Sequence, residues 1–204
     1  MNEHKRAAPD HAIHELLASR WSPYSFADRP VAEDDLRSLF EAARWAASSY
    51  NEQPWRYIVA TKASAAEFQR LLSCLVEANQ VWAQAVPVLA LGCTSLRFAR
   101  NGNPNAAAVH DLGLASATLT LEATARGLFV HQMIGIEPEK AREVYQIPEG
   151  VQAVTGLAIG YAAEAQSSVL AEAYRGRDLA PRQRKPLREF VFAGRWGASS
   201  PWSG

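Results

Sequence analysis

Apolar residues recur at helical spacing in several parts of the chain. In residues 31–45, Leu39 and Ala43 belong to such a stripe, and acidic residues fill the first turn, where the helix dipole favours negative charge. Ser64 and Glu67 have the spacing of a capping box and precede a second apolar stripe. The pattern therefore predicts one amphipathic helix over 31–45 and another that begins after Ser64.

Other segments have the composition of strands. Residues 85–93 form a nearly continuous apolar run of strand length, which is typical of a strand covered on both faces. This run predicts a central position in a sheet. Three further strands are predicted at 56–61, 128–133 and 153–161.

Further helices are predicted between these strands. Residues 106–126 are rich in Ala, Leu and Thr, and Gly127 follows as a natural helix C-cap. Shorter helices are expected over 11–18 and over 137–145, where Pro138 suits a first turn. The predicted order of helices and strands is therefore mixed.

Length and charge limit the classes of protein that need to be considered. A chain of 204 residues with 48% hydrophobic content can bury a core, and we expect a single domain over 1–204. Lys+Arg and Asp+Glu both number 21, so the net charge gives no support to a nucleic acid or a membrane surface as a partner. The start is polar, and no window reaches the roughly 20 apolar residues that span a bilayer. These features favour a cytoplasmic protein whose residues 1–10 are mobile.

The two cysteines carry no recognisable motif. Cys74 and Cys93 are isolated in helix-like and strand-like surroundings, so neither a disulfide framework nor a metal site is predicted. A free cysteine behaves mainly as a small hydrophobic residue. We expect both to be buried thiols.

The pattern fades after Tyr161 into a polar, Arg-rich segment punctuated by proline. A segment without a core of its own gains most by wrapping around another chain. We therefore interpret residues 165–204 as an extended arm that holds a partner, and we expect a homodimer.

Four polar stretches are candidates for a binding site. Arg20 and Ser22 place a cation and a hydroxyl two residues apart, which suits a phosphate and a sugar-like hydroxyl. Residues 48–53 concentrate hydroxyls and carboxamides, which can both donate and accept at a ring edge. Residues 132–136 include a glycine that allows close backbone approach, and 182–185 form a cation cluster. Each stretch alone is also compatible with a purely structural role.

In their order along the chain, these stretches resemble the nitroreductase family. The resemblance is carried by SRWSPYSF, AASSYNEQPWRYIVAT, GLFVHQMIGIEPEKAREVYQIPEG, AVTGLAIGY and RQRKPLREFV, and it extends over residues 13–196. The SxxNxQPW element is specific for the family. The resemblance implies a three-layer α+β fold with a central mixed sheet flanked by helices, a homodimer embraced by the carboxy-terminal arms, and one FMN in each of two interface pockets.

The resemblance also implies roles for individual residues. Arg20 would bind the FMN phosphate and Ser22 the ribityl chain, and either Arg182 or Arg184 would close on the phosphate. Ser48 and Asn51 would reach the flavin from the other subunit, and the backbone of residues 133–135 would run beside the ring near N5. The full set of predicted cofactor-binding residues is Arg20, Trp21, Ser22, Tyr24, Ser48, Ser49, Asn51, Gln53, Gln132, Met133, Ile134, Gly135, Arg182 and Arg184.

The implied activity is the reduction of nitroaromatics, quinones or similar electron-poor small-molecule acceptors by NADH or NADPH, with ping-pong kinetics. No catalytic side chain is predicted, because FMN carries the redox chemistry. A specialised flavin dehydrogenase or dehalogenase and a non-catalytic flavin carrier or sensor remain alternatives. Tyr24 stands where many relatives have a cation near the flavin N1 edge, which leaves the reduction potential open. For His110 and His131 we favour structural roles over catalytic ones.

Overall fold

The computed structural model describes residues 3–164 and 170–203. Within these ranges the chain forms seven α-helices and four β-strands. In chain order they are α1 (Glu15–Ser19), α2 (Glu33–Arg44), β1 (Trp55–Thr61), α3 (Ala65–Leu72), α4 (Glu77–Ala83), β2 (Val88–Ser95), α5 (Ala108–Ala125), β3 (Phe129–Met133), α6 (Pro138–Tyr145), β4 (Val151–Gly160) and α7 (Glu172–Leu179).

The four strands form one sheet in the order β1-β2-β4-β3. Every pairing between neighbours is antiparallel. The α+β class is confirmed, but the described strands do not form the mixed sheet that the resemblance implies. Strands of the same direction, β1 with β4 and β2 with β3, are never neighbours in this order, so no parallel ladder forms.

Helices cover both faces of the sheet and make three layers. Alternate side chains of β2 point to opposite faces, as the pleat requires. Val88 and Ala90 pack in one cluster with α2 and α5. Leu89 and Leu91 pack in the other cluster with α3, α4 and α6. The predicted central position of this apolar strand is confirmed, because β2 lies between β1 and β4.

The long helix α5 is apolar around much of its circumference. One side packs on the sheet through Leu112, Ala115 and Leu119. Val109 and Leu114, on the other side, are 49% and 37% exposed in the single chain. A helix that is apolar all round is typically buried, so the exposure of these two side chains is uncommon.

The observed helix ends confirm some predicted boundaries and contradict others. Gly127 has φ +72° and ends α5 as predicted. The predicted capping box at Ser64 is wrong, because Ser64 makes no side-chain cap bond and only its carbonyl accepts from Phe68 N–H. Helix α1 begins at Glu15 rather than near residue 11, because His14 Nδ1 caps it by accepting from Leu16 N–H at 3.2 Å.

The amino-terminal segment and the carboxy-terminal segment contact each other. Lys5 is buried, and its Nζ donates to the carbonyls of Arg177 and Ala180 at 2.6 Å each. Residues 1–2, 165–169 and 204 lie outside the described residues. The mobility of residues 1–10 and the embrace of a partner by residues 165–204 both stay predictions.

Both thiols lie where the sequence predicts them, in the interior. Cys74 and Cys93 are both free and buried, as predicted. Across 3–164 and 170–203, no group of three or more His, Cys, Asp or Glu side chains is arranged to hold a metal ion. In the same ranges, no helix combines the length and the apolar character that crossing a membrane requires.

Candidate functional site

Three arginines, Arg20, Arg182 and Arg184, lie near the end of α1, close enough for their charges to interact. Arg20 follows this helix as its C-cap residue, and Arg182 Nη1 donates to the carbonyl of Ala18 at 2.7 Å. Burial and the Arg184 guanidinium lower the pKa of Arg20. Burial, Arg20 and Arg184 likewise lower the pKa of Arg182. Guanidinium groups repel one another, and an anion placed among them would relieve this repulsion.

Among the described residues, no carboxylate forms an ion pair with any of these three arginines. The described ion pairs of the carboxy-terminal segment include Lys185 with Glu189 but none to Arg20, Arg182 or Arg184. Arg20 Nη1 donates instead to the Ser22 hydroxyl at 3.3 Å. The predicted pairing of a cation with a hydroxyl at these two positions thus exists in the fold.

Trp21 lies in the core between these two polar residues. Its side chain is 5% exposed and packs edge-on against Phe129, with ring centroids 5.6 Å apart. Lys5 Nζ lies 5.2 Å above the indole ring. The structure therefore uses the Trp21 side chain for packing.

Tyr24 lies in a cluster of aromatic rings beside α7. Its ring contacts those of His131, Trp82 and Tyr174, with centroids 4.6, 5.1 and 5.2 Å away. Its hydroxyl accepts from Arg177 Nη1 at 3.0 Å. Tyr24 thus joins the segment after α1 to α7.

His131 is held by the backbone, in agreement with the structural role that we favoured. Its Nδ1 lies 2.8 Å from the carbonyl oxygen of Pro23. Burial lowers the pKa of His131, although the bond to Pro23 opposes this effect. A neutral ring with the proton on Nδ1 satisfies this contact.

The loop that carries the predicted flavin-binding hydroxyls and carboxamides has an uncommon backbone. Tyr50, Asn51 and Gln53 have φ of +54°, +56° and +51°. Left-handed conformations of non-glycine residues cost about 1–3 kcal/mol each and cluster at functional sites. Ser48 Oγ accepts from Gln53 N–H at 3.1 Å, and Gln53 Nε2 donates to the Asn51 carbonyl at 3.0 Å. The loop is closed by its own hydrogen bonds.

A buried carboxylate anchors this loop to α5. Asp111 is 1% exposed, and its Oδ2 accepts from Ser49 N–H at 3.0 Å. His110, whose side chain is 71% exposed, places Nδ1 at 3.1 Å from the other carboxylate oxygen. The sequence did not single out Asp111, although an acidic residue in the first turn of a largely apolar helix was an available signal.

The end of β3 contributes the remaining predicted residues. Gln132 Nε2 donates to the Ser116 carbonyl and to Thr120 Oγ1, so its amide is bound to α5. The Met133 carbonyl accepts from Thr155 Oγ1 at 3.0 Å. Ile134 is 85% exposed, which is unusual for a large aliphatic side chain next to a strand.

Gly135 packs closely against a residue of its own chain. A Cβ atom at this position would lie 2.4 Å from Asn79 Nδ2, an atom that donates to the Gly135 carbonyl at 2.9 Å. A larger residue here would displace the Asn79 side chain of α4, so the glycine has a packing role regardless of any ligand.

The predicted site residues thus form separate groups within one chain. Arg20, Ser22, Arg182 and Arg184 converge at the end of α1. The loop 48–53 and the end of β3 both contact α5, at Asp111 and at Ser116 with Thr120. The expectation that Ser48 and Asn51 act on the pocket of the other subunit stays a prediction.

Comparison with known protein sequences gives matches along most of the chain. The model of the nitroreductase family matches residues 17–161. An uncharacterized 15.4 kDa protein of Mycolicibacterium smegmatis is 38% identical over 87 residues, which are 43% of this chain and 57% of that protein. Nitrobenzene nitroreductase of Ectopseudomonas oleovorans is 32% identical over 76 residues, 37% of this chain and 32% of that protein. The matches span 57%, 40% and 38% of the length of three curated relatives.

Solved structures match over nearly the whole fold. The crystal structure of an oxidoreductase containing FMN superposes with a TM-score of 0.88 at 30% identity and covers 98% of this chain and 100% of that one. A nitroreductase family protein from Streptococcus pneumoniae TIGR4 has a TM-score of 0.69 at 20% identity, with coverage of 88% and 98%. At this lower identity the second match shows the shared fold alone.

Proposed function

The chain belongs to the nitroreductase family, and on this premise we propose that it is an FMN-dependent oxidoreductase that reduces electron-poor organic acceptors. The observation that carries the proposal is the cluster of Arg20, Arg182 and Arg184, none of which forms a described ion pair with a carboxylate. The structural neighbour that contains FMN supports the same choice of cofactor.

The residues at the end of α1 fit a phosphate group. Guanidinium groups bind phosphate oxygens through paired, charge-assisted hydrogen bonds. Arg20 and Arg182 are partly buried, so an anion there would be screened little by solvent. Arg20, Arg182 and Arg184 would hold the FMN phosphate, and Ser22 would bind the adjacent ribityl chain.

The remaining predicted residues would surround the flavin ring. In this proposal the backbone of 133–135 lines one edge, with Gln132 fixed beside it on α5. Ser48, Ser49, Asn51 and Gln53 approach from the partner subunit. The backbone of this loop is already closed by internal hydrogen bonds and by Asp111, so little ordering would be needed on binding.

FMN, when bound, supplies hydride and electron transfer at its N5 atom. The protein binds and orients the cofactor and shields it from water. We propose that NADH or NADPH is the reductant and that a nitroaromatic, a quinone or a similar acceptor then takes its place. Alternate occupation of one site gives ping-pong kinetics.

We propose that the active form is a homodimer. The exposed apolar side of α5, which includes Val109 and Leu114, supports an interface of this kind. Exposed aromatic residues of the carboxy-terminal segment, Phe190 and Trp196 at 58% and 91%, suit contact with a partner. The free buried thiols fit a reducing compartment, and we place the enzyme in the cytoplasm.

The decisive experiment is the visible absorption spectrum of the purified protein, taken after mixing with FMN and desalting. The proposal expects an equimolar amount of retained flavin that bleaches when NADH or NADPH is added without oxygen. Addition of a quinone or a nitroaromatic should then restore the oxidised spectrum. A protein that retains no flavin at micromolar concentration would contradict the proposal.

The same spectra distinguish two alternative functions. Flavin that stays oxidised with both nicotinamide cofactors would indicate a non-catalytic carrier or sensor. Flavin that is reduced but is reoxidised by neither acceptor class would indicate a narrower dehydrogenase or dehalogenase.

A further inference from the structure

One buried carboxylate joins the two segments that carry the arginine cluster. Asp178 of α7 is 1% exposed. Its Oδ1 accepts from Tyr24 N–H at 2.9 Å, and its Oδ2 accepts from Ser25 N–H at 2.8 Å and from Tyr24 N–H at 3.2 Å. The contact therefore fixes the backbone after α1 to a helix that lies more than 150 residues later in the chain.

The environment of Asp178 is built to keep this carboxylate in place. A buried charge is costly unless hydrogen bonds and opposite charge compensate for it. The two backbone N–H groups provide the hydrogen bonds, and Lys5 is near enough for the Asp178 charge to raise its pKa against the stronger lowering by burial. Lys5 Nζ itself donates to the carbonyls of Arg177 and Ala180, which fixes the backbone on both sides of Asp178.

The arginines lie a short distance along the chain from this contact. Arg20 precedes Tyr24 by four residues, and Arg182 follows Asp178 by four. Arg182 is fixed in addition by its bond to the Ala18 carbonyl. Because each arginine lies only four residues along the chain from the Asp178 contact, that contact restricts where the two guanidinium groups can lie.

We propose that Asp178 is a positioning residue, which holds the Arg20–Ser25 segment against α7 so that Arg20, Arg182 and Arg184 converge on one phosphate group. The identity of that phosphate as part of FMN rests on the proposed function. Asp178 contacts backbone N–H groups and has no part in the redox chemistry.

The sign of one mutational effect separates this role from simple electrostatics. Asp178→Asn removes a negative charge close to several cations while it preserves shape. Coulomb attraction alone then predicts tighter binding of an anion. The positioning role predicts weaker binding, because the amide NH2 of Asn cannot accept from a backbone N–H and one of the two contacts is lost.

The experiment measures the dissociation constants of FMN and of riboflavin, which lacks the phosphate, by flavin fluorescence. For Asp178→Asn we expect the FMN constant to rise at least tenfold and the riboflavin constant to change less. Glu172→Gln removes one negative charge from an exposed site on the same helix and should leave both constants unchanged. An FMN constant that is unchanged or lower in Asp178→Asn would overturn the proposal.

A second measurement needs no variant and covers the case in which Asp178→Asn does not fold. Hydrogen exchange of the Tyr24 and Ser25 amides in the wild-type protein should slow when FMN binds. An exchange rate that is the same with and without FMN would overturn the positioning role. If the wild-type protein binds no FMN, the proposed function fails. Inorganic phosphate is then the probe, and phosphate-dependent protection of the same amides would still support the role of Asp178, whereas its absence would refute it.

Discussion

The guanidinium of Arg177 donates a hydrogen bond to the Tyr24 hydroxyl at 3.0 Å and lies 5.5 Å from the centre of the Tyr24 ring. The family resemblance implies a cation at position 24 in many relatives, where this chain has a tyrosine. The structure places the Arg177 guanidinium of α7 beside the Tyr24 hydroxyl. A cation is therefore present next to Tyr24 although the local sequence motif lacks one.

We therefore predict that Arg177 raises the reduction potential of the bound flavin through Tyr24. A nearby cation stabilises the anionic reduced form. Arg177→Met should lower the two-electron potential by roughly 15–30 mV, since about 30 mV corresponds to about 1.4 kcal/mol. Dye equilibration without oxygen measures the change, and Arg188→Met at an exposed site should leave the potential unaltered. An equal shift in both variants would show a general effect of charge.

The phosphate assignment predicts unequal effects of two cations. Arg20 is partly buried beside Arg182 and Arg184, whereas the Lys185 side chain is 79% exposed and lies 3.9 Å from Glu189. Hydrogen bonds to charged groups are worth about 1.5–3 kcal/mol, so Arg20→Ala should weaken FMN binding roughly 10- to 100-fold. Lys185→Ala should change it little. Equal losses in fluorescence titrations would count against the assignment.

Gly135 tests whether close packing serves the fold or the cofactor. A methyl group there would meet Asn79 Nδ2, so Gly135→Ala should lower the free energy of unfolding by about 1–3 kcal/mol. Combining it with Asn79→Ala should cost less than the two single losses together, because the clash is relieved. Gly176→Ala is the control, since its added methyl group meets nothing within 4 Å. Urea unfolding without FMN provides these values, and an unaffected stability would leave only a cofactor role for Gly135.

Local signals in the sequence predicted several individual elements of the fold. The continuous apolar run became β2, which is covered on both faces, and the stripe through Leu39 and Ala43 became α2 on one cluster of the core. Helix α7 was not predicted, because its sequence EAYRGRDL is polar and contains glycine. Long-range contacts, those of Asp178 with Tyr24 and Ser25, accompany its helical conformation.

The candidate site was predictable to a similar extent. Residue types and family resemblance selected Arg20, Ser22, Arg182 and Arg184, and the fold brings them together. The sequence did not reveal Asp178, because its partners are backbone N–H groups, which any residue except proline provides. Nor did it reveal that Trp21 is a core residue, since a large aromatic side chain suits a core and a ligand site equally.

The exposed side of α5 suggests a way to disrupt the proposed dimer. Leu114 is 37% exposed in the single chain, so a charge there should not disturb its fold. If this side packs on a partner, Leu114→Lys buries an unpaired charge and should convert the dimer to monomer at micromolar concentration. Ala66→Lys, on an exposed position of α3, should leave the dimer intact. Light scattering measures the molar mass of both variants in solution. A Leu114→Lys protein that is still a dimer would place the interface elsewhere.

His131 predicts a loss of stability on mild acidification. Burial lowers its pKa in the folded state below the ordinary value of about 6.5, so the unfolded chain binds the proton more readily. Stability contributed by neutral His131 is therefore complete above about pH 6.5 and falls as the pH decreases toward the folded-state pKa. The charged residues near the His131 ring are Asp178, Arg177 and Arg20. The two arginines lower the pKa of His131 further, and Asp178 raises it.

The measurement compares urea unfolding at about pH 7.5 and about pH 5.5, on either side of the ordinary histidine pKa. His131→Gln keeps a donor for the Pro23 carbonyl but does not titrate, so it should lose less stability than the wild-type protein over this interval. His11→Gln, at an exposed site, should behave as the wild type does. If His131→Gln and the wild type lose the same stability, the acid sensitivity originates in another group. If the wild type gains stability on acidification, the fold favours the protonated ring. The assignment of a neutral His131 bonded to the Pro23 carbonyl would then be wrong.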